Sequence, residues 1–261
     1  MRKRLHKGTF NSYDSGVART SAAGEGMESP IPEAAGRDDD LAARLSKLYT
    51  AAIVDVLERH GEHHACLPSA VAALVPEARV AGPAYPYTYV PSTSRDRDVV
   101  HNATLVAYNA APTGSVFVCA PTPFDHAETG NFGELGHMMN RGNQIRGFVI
   151  DGGIRDAASL VKAGIGVFCR YRSPRPLLGR WEIGTYGEPI EIGDVRIRPG
   201  DWLVGDWDGV VCVPHEIVEE IVEEAEAYAA MEESWRAAVE SAENPIAAYR
   251  ALEGEYQHTR H

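Results

Sequence analysis

A single α/β domain with a β-rich layer is the fold class this sequence predicts, and three observations lead to it. Strand-like and helix-like runs alternate through the middle of the chain, as in Gly147-Phe-Val-Ile150 followed by Ala157 to Ala163. Short alternating strands and a hairpin come next, over Pro189-Ile-Glu-Ile192, Val195-Arg-Ile-Arg198 and Pro199 to Pro214. The chain has 261 residues, 44% of them hydrophobic, which is enough for one sizeable core, and it has no internal repeat. Helices that alternate with strands and then give way to hairpins argue against a pure doubly wound sheet.

Residues 1–37 are rich in Gly, Ser, Ala and Pro without apolar periodicity, and are expected to form a flexible arm. The domain is expected over 38–243. Asp38-Asp39-Asp40 offers caps and favourable charge for a helix start. Leu41, Leu45, Leu48, Ile53, Val56 and Leu57 then give one helix an apolar face as far as Gly61. Arg79 to Ala84 reads as a short strand, with a polar loop from there through Arg97. A helix is expected over Asp98 to Asn109, and Pro112-Thr-Gly114 turns the chain into the strand Ser115 to Ala120. Pro121 to Phe132 is a loop leading into a helix that opens at Gly133-Glu134. After the strand Gly147 to Ile150, a glycine-rich turn hands over to the helix Ala157 to Ala163, which Gly164 ends. Gly166 to Cys169 is a further buried strand. The stretch from Pro199 to Pro214 folds back at Asp208-Gly209. An acidic amphipathic helix from His215 to about Glu243 closes the domain, and 244–261 is an extension.

With 25 Lys and Arg against 37 Asp and Glu, the net charge of −12 excludes a broad basic surface for nucleic acid. Of the four cysteines, Cys119, Cys169 and Cys212 lie in apolar strands and read as buried thiols, and none of the four shows CxxC spacing. No apolar run approaches the length needed to span a bilayer. Met1-Arg-Lys-Arg4 lacks the apolar run of a signal peptide, so a cytoplasmic protein without a membrane partner is expected.

Chemistry concentrates between Gly133 and Asp156, GELGHMMNRGNQIRGFVIDGGIRD. Glu134, Arg155 and Asp156 stand at two helix-opening turns, which a sheet edge can bring together. Each also has a plainer reading. Arg155-Asp156 would serve as a surface ion pair at a helix start, and Glu134 as a favourable first-turn carboxylate. Backbone N–H groups near Gly133, Glu134 and Leu135 are free at such a start and could hold a carboxylate. His126 and His137 flank the stretch as possible bases, His137 more simply as a packed residue. His60, Glu62, His63, His64 and Cys66 form a second cluster without regular metal-ligand spacing, and Glu216, Glu219, Glu220, Glu223 and Glu224 read as a solvated helix face.

Four strings, taken in order, resemble the RraA-like family, which contains class II 4-hydroxy-4-methyl-2-oxoglutarate and 4-carboxy-4-hydroxy-2-oxoadipate aldolases. They are Arg79-Val-Ala-Gly-Pro83, Gly133-Glu-Leu135, Gly147 to Asp156, and Pro199 to Pro214. The resemblance spans roughly residues 41–225. It implies a three-layer β/β/α sandwich of the swivelling-domain type, assembled as a homotrimer or hexamer with sites at subunit interfaces. Aldolases of the family carry an acidic residue and, downstream, Arg-Asp; Glu134, Arg155 and Asp156 match, with Glu where Asp is frequent.

By the same resemblance, Asp156 is the main ligand of a divalent metal and Glu134 supports it. Arg155 faces the keto oxygen of a 2-oxo acid substrate, and Gly133, Glu134 and Leu135 hold its carboxylate. Oxygen ligands with several waters suit Mg²⁺ or Mn²⁺. The expected activity is cleavage of a 4-hydroxy-2-oxo acid to pyruvate, with oxaloacetate decarboxylation alongside. The alternatives are other chemistry on this scaffold, or a protein-binding regulator like the ribonuclease E inhibitor of the family. Arg172, Arg175 and Arg180 fall outside the motif and could read a second carboxylate or make interface ion pairs.

Overall fold

The computed structural model describes residues 32–121 and 128–259. Helices α1 (Pro32–Leu45) and α2 (Thr50–Arg59) come first, then strands β1 (Ala72–Ala73) and β2 (Val80–Pro91). Next are α3 (Arg97–Asn109), β3 (Val116–Pro121), β4 (Gly130–Phe132) and α4 (Glu134–Met139). They are followed by β5 (Gly147–Ile154), α5 (Ala157–Ala163), β6 (Gly166–Arg172) and β7 (Trp181–Tyr186). Two hairpins come after these, β8 (Ile190–Ile192) with β9 (Val195–Ile197) and β10 (Trp202–Asp206) with β11 (Gly209–Val213). Helices α6 (Val218–Ser241) and α7 (Pro245–Thr259) end the described chain.

One mixed sheet organises the molecule, in the order β1-β6-β5-β3-β2-β10-β11. Its centre, β2, β3, β5 and β6, is parallel, as crossovers through α3 and α5 require. The long β2 has two antiparallel partners along one edge: β10 against Val80 to Pro83, then β7 against Tyr87 to Pro91. Short β4 adds in parallel to the far end of β5, opposite Gly153 and Ile154. This last pairing builds the site, because it holds the chain just before α4 against the end of β5.

Alternation along the strands makes three cores. Tyr85, Tyr87 and Tyr89 of β2, Phe117 and Cys119 of β3, and Phe148, Ile150 and Ile154 of β5 face Tyr108 of α3 and Leu160 of α5. The opposite faces, Val80, Val116, Val118, Val149 and Phe168, meet Leu203, Val210 and the β8–β9 hairpin. Trp202, Val204, Val211 and Val213 turn the other way, against Leu45 and Ile53 of α1 and α2 and Ile221 and Val222 of α6. The expected β/β/α sandwich is therefore present in one domain: a hairpin layer, a parallel layer, and α3 to α5 outside it. Helices α1, α2 and α6 cover the outer face of β10 and β11. Each fully buried Phe or Leu contributes about 1.5–3 kcal/mol, which makes these alternating strands the main source of stability.

Three local expectations need correction. The helix read as continuous from Asp38 to Gly61 is two helices, separated at Ser46 to Tyr49, and the first begins at Pro32. Asp38 to Asp40 therefore lie within α1 rather than capping it, and Asp39 pairs with Arg146. The polar loop expected from Tyr85 onward is mostly strand, since β2 runs to Pro91. Pro86 falls in the gap between the β10 and β7 pairings, where a missing N–H costs least. Finally, Asp151-Gly-Gly-Ile154 is not a turn but the end of β5. A Cβ on Gly153 would stand 2.3 Å from the Thr129 carbonyl oxygen and 2.3 Å from the Tyr171 ring, so glycine is needed for β4 to approach. Buried Asp151 pairs with Arg170 on the neighbouring strand. Residues 1–31, most of the expected arm, lie outside the described residues.

Candidate functional site

The two turns singled out in the sequence meet at the end of β5. Arg155 N–H donates to the Phe132 carbonyl at 2.8 Å, locking the residue after β5 to the end of β4. Gly133, the next residue, lies so close that a Cβ there would be 2.6 Å from Arg155 Cγ and 2.8 Å from Asp156 Oδ2. Glycine is thus what lets the backbone entering α4 sit against the Arg155-Asp156 pair.

Asp156 occupies the N-cap position of α5 but caps nothing with its side chain. Its backbone is left-handed, φ 54°, a conformation Asp tolerates at some cost. Its backbone carbonyl opens the helix by accepting from Ser159 N–H at 2.9 Å. The carboxylate is left beside Gly133, 3.4 Å from Arg155 Nε, with the two side chains 37% and 43% exposed. So loose and open a pair is worth at most about 1 kcal/mol to stability. An arginine and a carboxylate standing together without structural duty can take up an anionic ligand or a hard cation.

Both residues line one pocket of about 370 Å³. One wall is Gly130 to Gly133 with Leu135, Gly136, Arg155 and Asp156. The other is a single stripe of α3, Arg97, His101, Thr104, Leu105 and Tyr108, at the helical spacing of one face. Tyr89 and Leu177 contribute as well. Tyr89 O–H donates to the Asn131 carbonyl at 2.9 Å, tying β2 to β4 beneath the pocket. Burial pushes the Tyr89 and Tyr108 phenols well above their ordinary range, so both stay protonated donors.

Gly133, Leu135, Arg155 and Asp156 therefore come together, with the Leu135 side chain turned outward and 69% exposed. Glu134 is the first residue of α4, exposed, and does not line this pocket. The His137 ring stands edge-on to Phe148 at 6.1 Å and is outside the pocket lining. Burial lowers its pKa, Arg141 lowers it further, and Glu134 opposes the shift. His126 lies outside the described residues. In the Arg172 to Arg180 segment only Leu177 reaches the pocket, while the Arg180 guanidinium donates to the Pro176 carbonyl at 3.1 Å.

The two remaining clusters form side-chain pairs. His60 meets Glu224 at 3.0 Å with Glu220 beside them, and His64 meets Asp194 at 2.7 Å. The acidic face of α6 is thus not simply solvated, since Glu219 and Glu226 also pair, with Arg37 and Arg44. Cys119, Cys169 and Cys212 are buried free thiols, as expected, and Cys66 is exposed. No helix among the described residues is long and apolar enough to cross a membrane. Sequence reasoning missed the α3 wall, although Arg97, His101, Thr104 and Tyr108 recur at helical spacing.

A mixed sheet with helices on its outer faces, and an Arg-Asp turn packed on a glycine at the end of a parallel strand, define an α/β protein of the swivelling-domain class. The chain belongs to the RraA-like family (Aldolase/RraA), whose family model matches residues 50–212. Among curated proteins it is 34% identical over 142 residues to a Halalkalibacterium halodurans protein named "Putative 4-hydroxy-4-methyl-2-oxoglutarate aldolase", covering 54% of this chain and 66% of that one. A protein of the same name from Albidiferax ferrireducens is 38% identical over 86 residues, 33% of this chain and 49% of its own. The chain thus spans between about half and two-thirds of these relatives. Among solved structures, an uncharacterized Pseudomonas syringae pv. tomato protein superposes with a TM-score of 0.68 at 27% identity, over 80% of this chain and 96% of its own. Streptomyces coelicolor RraAS2, described as an unusual member of the RNase ES inhibitor RraA protein family, does so at 0.67 and 28%, over 76% and 98%.

Proposed function

We propose that this protein is a lyase that cleaves a 4-hydroxy-2-oxo acid to pyruvate and a second oxo compound, with the help of Mg²⁺ or Mn²⁺. The observation that carries the reading is the apposition of Gly133 with Arg155 and Asp156 at the mouth of one pocket. The names of the aldolase relatives support it.

In such a cleavage the C3–C4 bond breaks, its electron pair passes toward the C2 carbonyl, and the C4 hydroxyl loses its proton as C4 becomes a carbonyl. C3 is protonated afterwards. Charge therefore develops on the C2 oxygen, where a guanidinium that is always cationic stabilises it. Arg155, whose backbone N–H is held by the Phe132 carbonyl and whose side chain lies beside Gly133, would take that role. Removing one donor to a developing oxyanion typically costs about 10²–10³-fold in kcat, and a similar loss is expected for Arg155→Ala. Backbone N–H groups of Glu134 and Leu135, at the first turn of α4, are suited to the substrate's C1 carboxylate.

The donor set fits a hard cation: the Asp156 carboxylate caps no helix, is partly open to water, and faces the cradle that a Cβ on Gly133 would fill. Asp156 would hold the metal, and Glu134, which lies outside the pocket lining, would support it through water. When bound, the cation supplies Lewis-acid polarisation of the substrate's keto group. Oxaloacetate decarboxylation needs the same charge stabilisation and is proposed as a side activity. Leu105 and Met139 at the pocket and Val106 in the adjoining groove, all exposed, make an apolar rim that suits cover by a further copy of the chain in a trimer or hexamer.

The test is pyruvate release from 4-hydroxy-4-methyl-2-oxoglutarate and from oxaloacetate, coupled to lactate dehydrogenase, with Mg²⁺, with Mn²⁺ and with EDTA. Metal-dependent release that is lost in Arg155→Ala supports the reading. No release from either acid by folded, metal-supplied protein would refute it. Resemblance to RraAS2 favours, as the second reading, a protein-binding regulator, which stable co-purification of a ribonuclease without turnover would support.

A further inference from the structure

The α3 wall of the pocket has a feature that the proposed chemistry at Arg155 does not use. Arg97 and His101 are one turn apart on the same face, both exposed and both lining the pocket that Arg155 and Asp156 also line. Among the described residues neither makes an ion pair or a side-chain hydrogen bond, although Asp96 and Asp98 are sequence neighbours of Arg97. Asp96 is committed to the helix, accepting from the N–H groups of Asp98 at 3.0 Å and Val99 at 3.2 Å. Arg97 is also badly placed for helix stability, because a cation in the first turn opposes the macrodipole. Leu105, Met139 and Leu177 add apolar side chains to the same lining, beside the polar Thr104 and Asn131. The arginines of the 172–180 segment contribute no lining residue.

We propose that Arg97 and His101 are specificity-determining residues that bind an acidic group at the end of the substrate remote from its 2-oxo acid head. On this assignment, which rests on the reading of the Arg155 side as the 2-oxo acid end, the substrate is a dicarboxylate. One anionic end lies against Gly133 to Leu135 and Arg155, its carbon chain meets the apolar side chains of the lining, and its second carboxylate meets α3. Arg97 supplies a planar fork for that carboxylate, and His101 a ring N–H one turn along. The chemistry at C2 to C4 is unchanged by this contact, which selects among substrates by charge.

Two pairs of ligands test it. Calorimetric titration with 2-oxoglutarate and with 2-oxopentanoate, which ends in methyl instead of carboxylate and cannot undergo aldol cleavage, reads recognition without turnover. Coupled pyruvate release from 4-hydroxy-2-oxoglutarate and 4-hydroxy-2-oxopentanoate reads it in kcat/KM. The unsubstituted protein should prefer the diacid in both. Arg97→Ala should weaken 2-oxoglutarate binding and diacid kcat/KM at least tenfold and leave the monoacids within about twofold, with Arg97→Lys in between and His101→Gln showing a smaller loss. The preference should shrink as salt rises, since the wall is exposed. Equal losses for diacid and monoacid, no loss for either, or no diacid preference in the unsubstituted protein would overturn the proposal. Discrimination in binding without any pyruvate release would instead overturn the lyase reading and leave this one standing.

Discussion

At the scale of single residues, the site depends on what is missing at position 133. A methyl group there would enter space held by Arg155 Cγ and Asp156 Oδ2, and the backbone on both sides is fixed, by Arg155 N–H to Phe132 and by the β4–β5 pairing. Gly133 itself is extended, φ −160°, so alanine meets no backbone penalty, only the collision. Gly133→Ala is therefore expected to lower the turnover proposed here by tenfold or more while the midpoint of urea unfolding hardly moves. Unchanged turnover would mean that Arg155 and Asp156 do not act from these positions. The residues of this turn were legible in the sequence because they are contiguous: Gly133-Glu-Leu and Ile-Arg-Asp156 each carry their own pattern. Arg97, His101 and Tyr108 were not, because whether a helical stripe lines a pocket depends on how α3 docks, and no local pattern records that.

At the scale of elements, the boundary between α1 and α2 shows how a distant residue overrides a local pattern. Leu41, Leu45, Leu48, Ile53 and Val56 read as one apolar stripe, and nothing between them forbids a continuous helix. The break is made by Asp206 at the end of β10. Its carboxylate accepts from Thr50 N–H at 2.9 Å, from the Thr50 hydroxyl at 2.8 Å and from Asp208 N–H at 2.9 Å, and pairs with Arg79 at 3.0 Å. In effect it caps α2 across 156 residues of chain. Burial alone would raise its pKa, but these hydrogen bonds and Arg79 prevail and hold it below the ordinary value of 3.8. A depressed folded-state value stabilises the fold fully above the unfolded-state pKa, and that stabilisation is lost as pH falls through the folded-state value. Asp206→Asn should thus cost about 1–3 kcal/mol at neutral pH, and the gap between variant and parent should narrow once pH drops below about 4. Urea denaturation at pH 7, 5 and 3 measures both, and a gap independent of pH would show that the carboxylate's charge is not what secures α2. The same limit explains β2. Tyr85, Tyr87 and Tyr89 alternate, yet the stretch reads as a polar loop, and only the β10 and β7 pairings show where Pro86 falls.

At the scale of the whole molecule, the sheet and its three cores account for the fold, and the C-terminal hairpin stands apart from them. The buried residues of α6, Val218, Ile221, Val222 and Ala225, all lie in its first half. Beyond them, α7 packs on α6 through contacts such as Trp235 on Tyr249, edge-on at 6.0 Å, while Ile246 and Tyr249 remain 68% and 48% exposed. No residue of α7 belongs to a core among the described residues. The pocket, at the far end of β5, touches neither helix. Glu243, where the sequence ends its last amphipathic helix, lies between α6 and α7, well past the buried half of α6. A chain ending at Glu243 should therefore fold with a stability within about 0.5 kcal/mol of the full chain, the range expected for changes that touch no core. It should also bind 2-oxoglutarate with the same affinity. Chemical denaturation and calorimetry of the shortened protein check the two parts separately. Loss of stability beyond about 2 kcal/mol would show that the hairpin braces the body. Intact stability with weakened binding, together with a smaller particle in sedimentation, would show that α7 acts through assembly, bringing another copy to the apolar rim of the pocket.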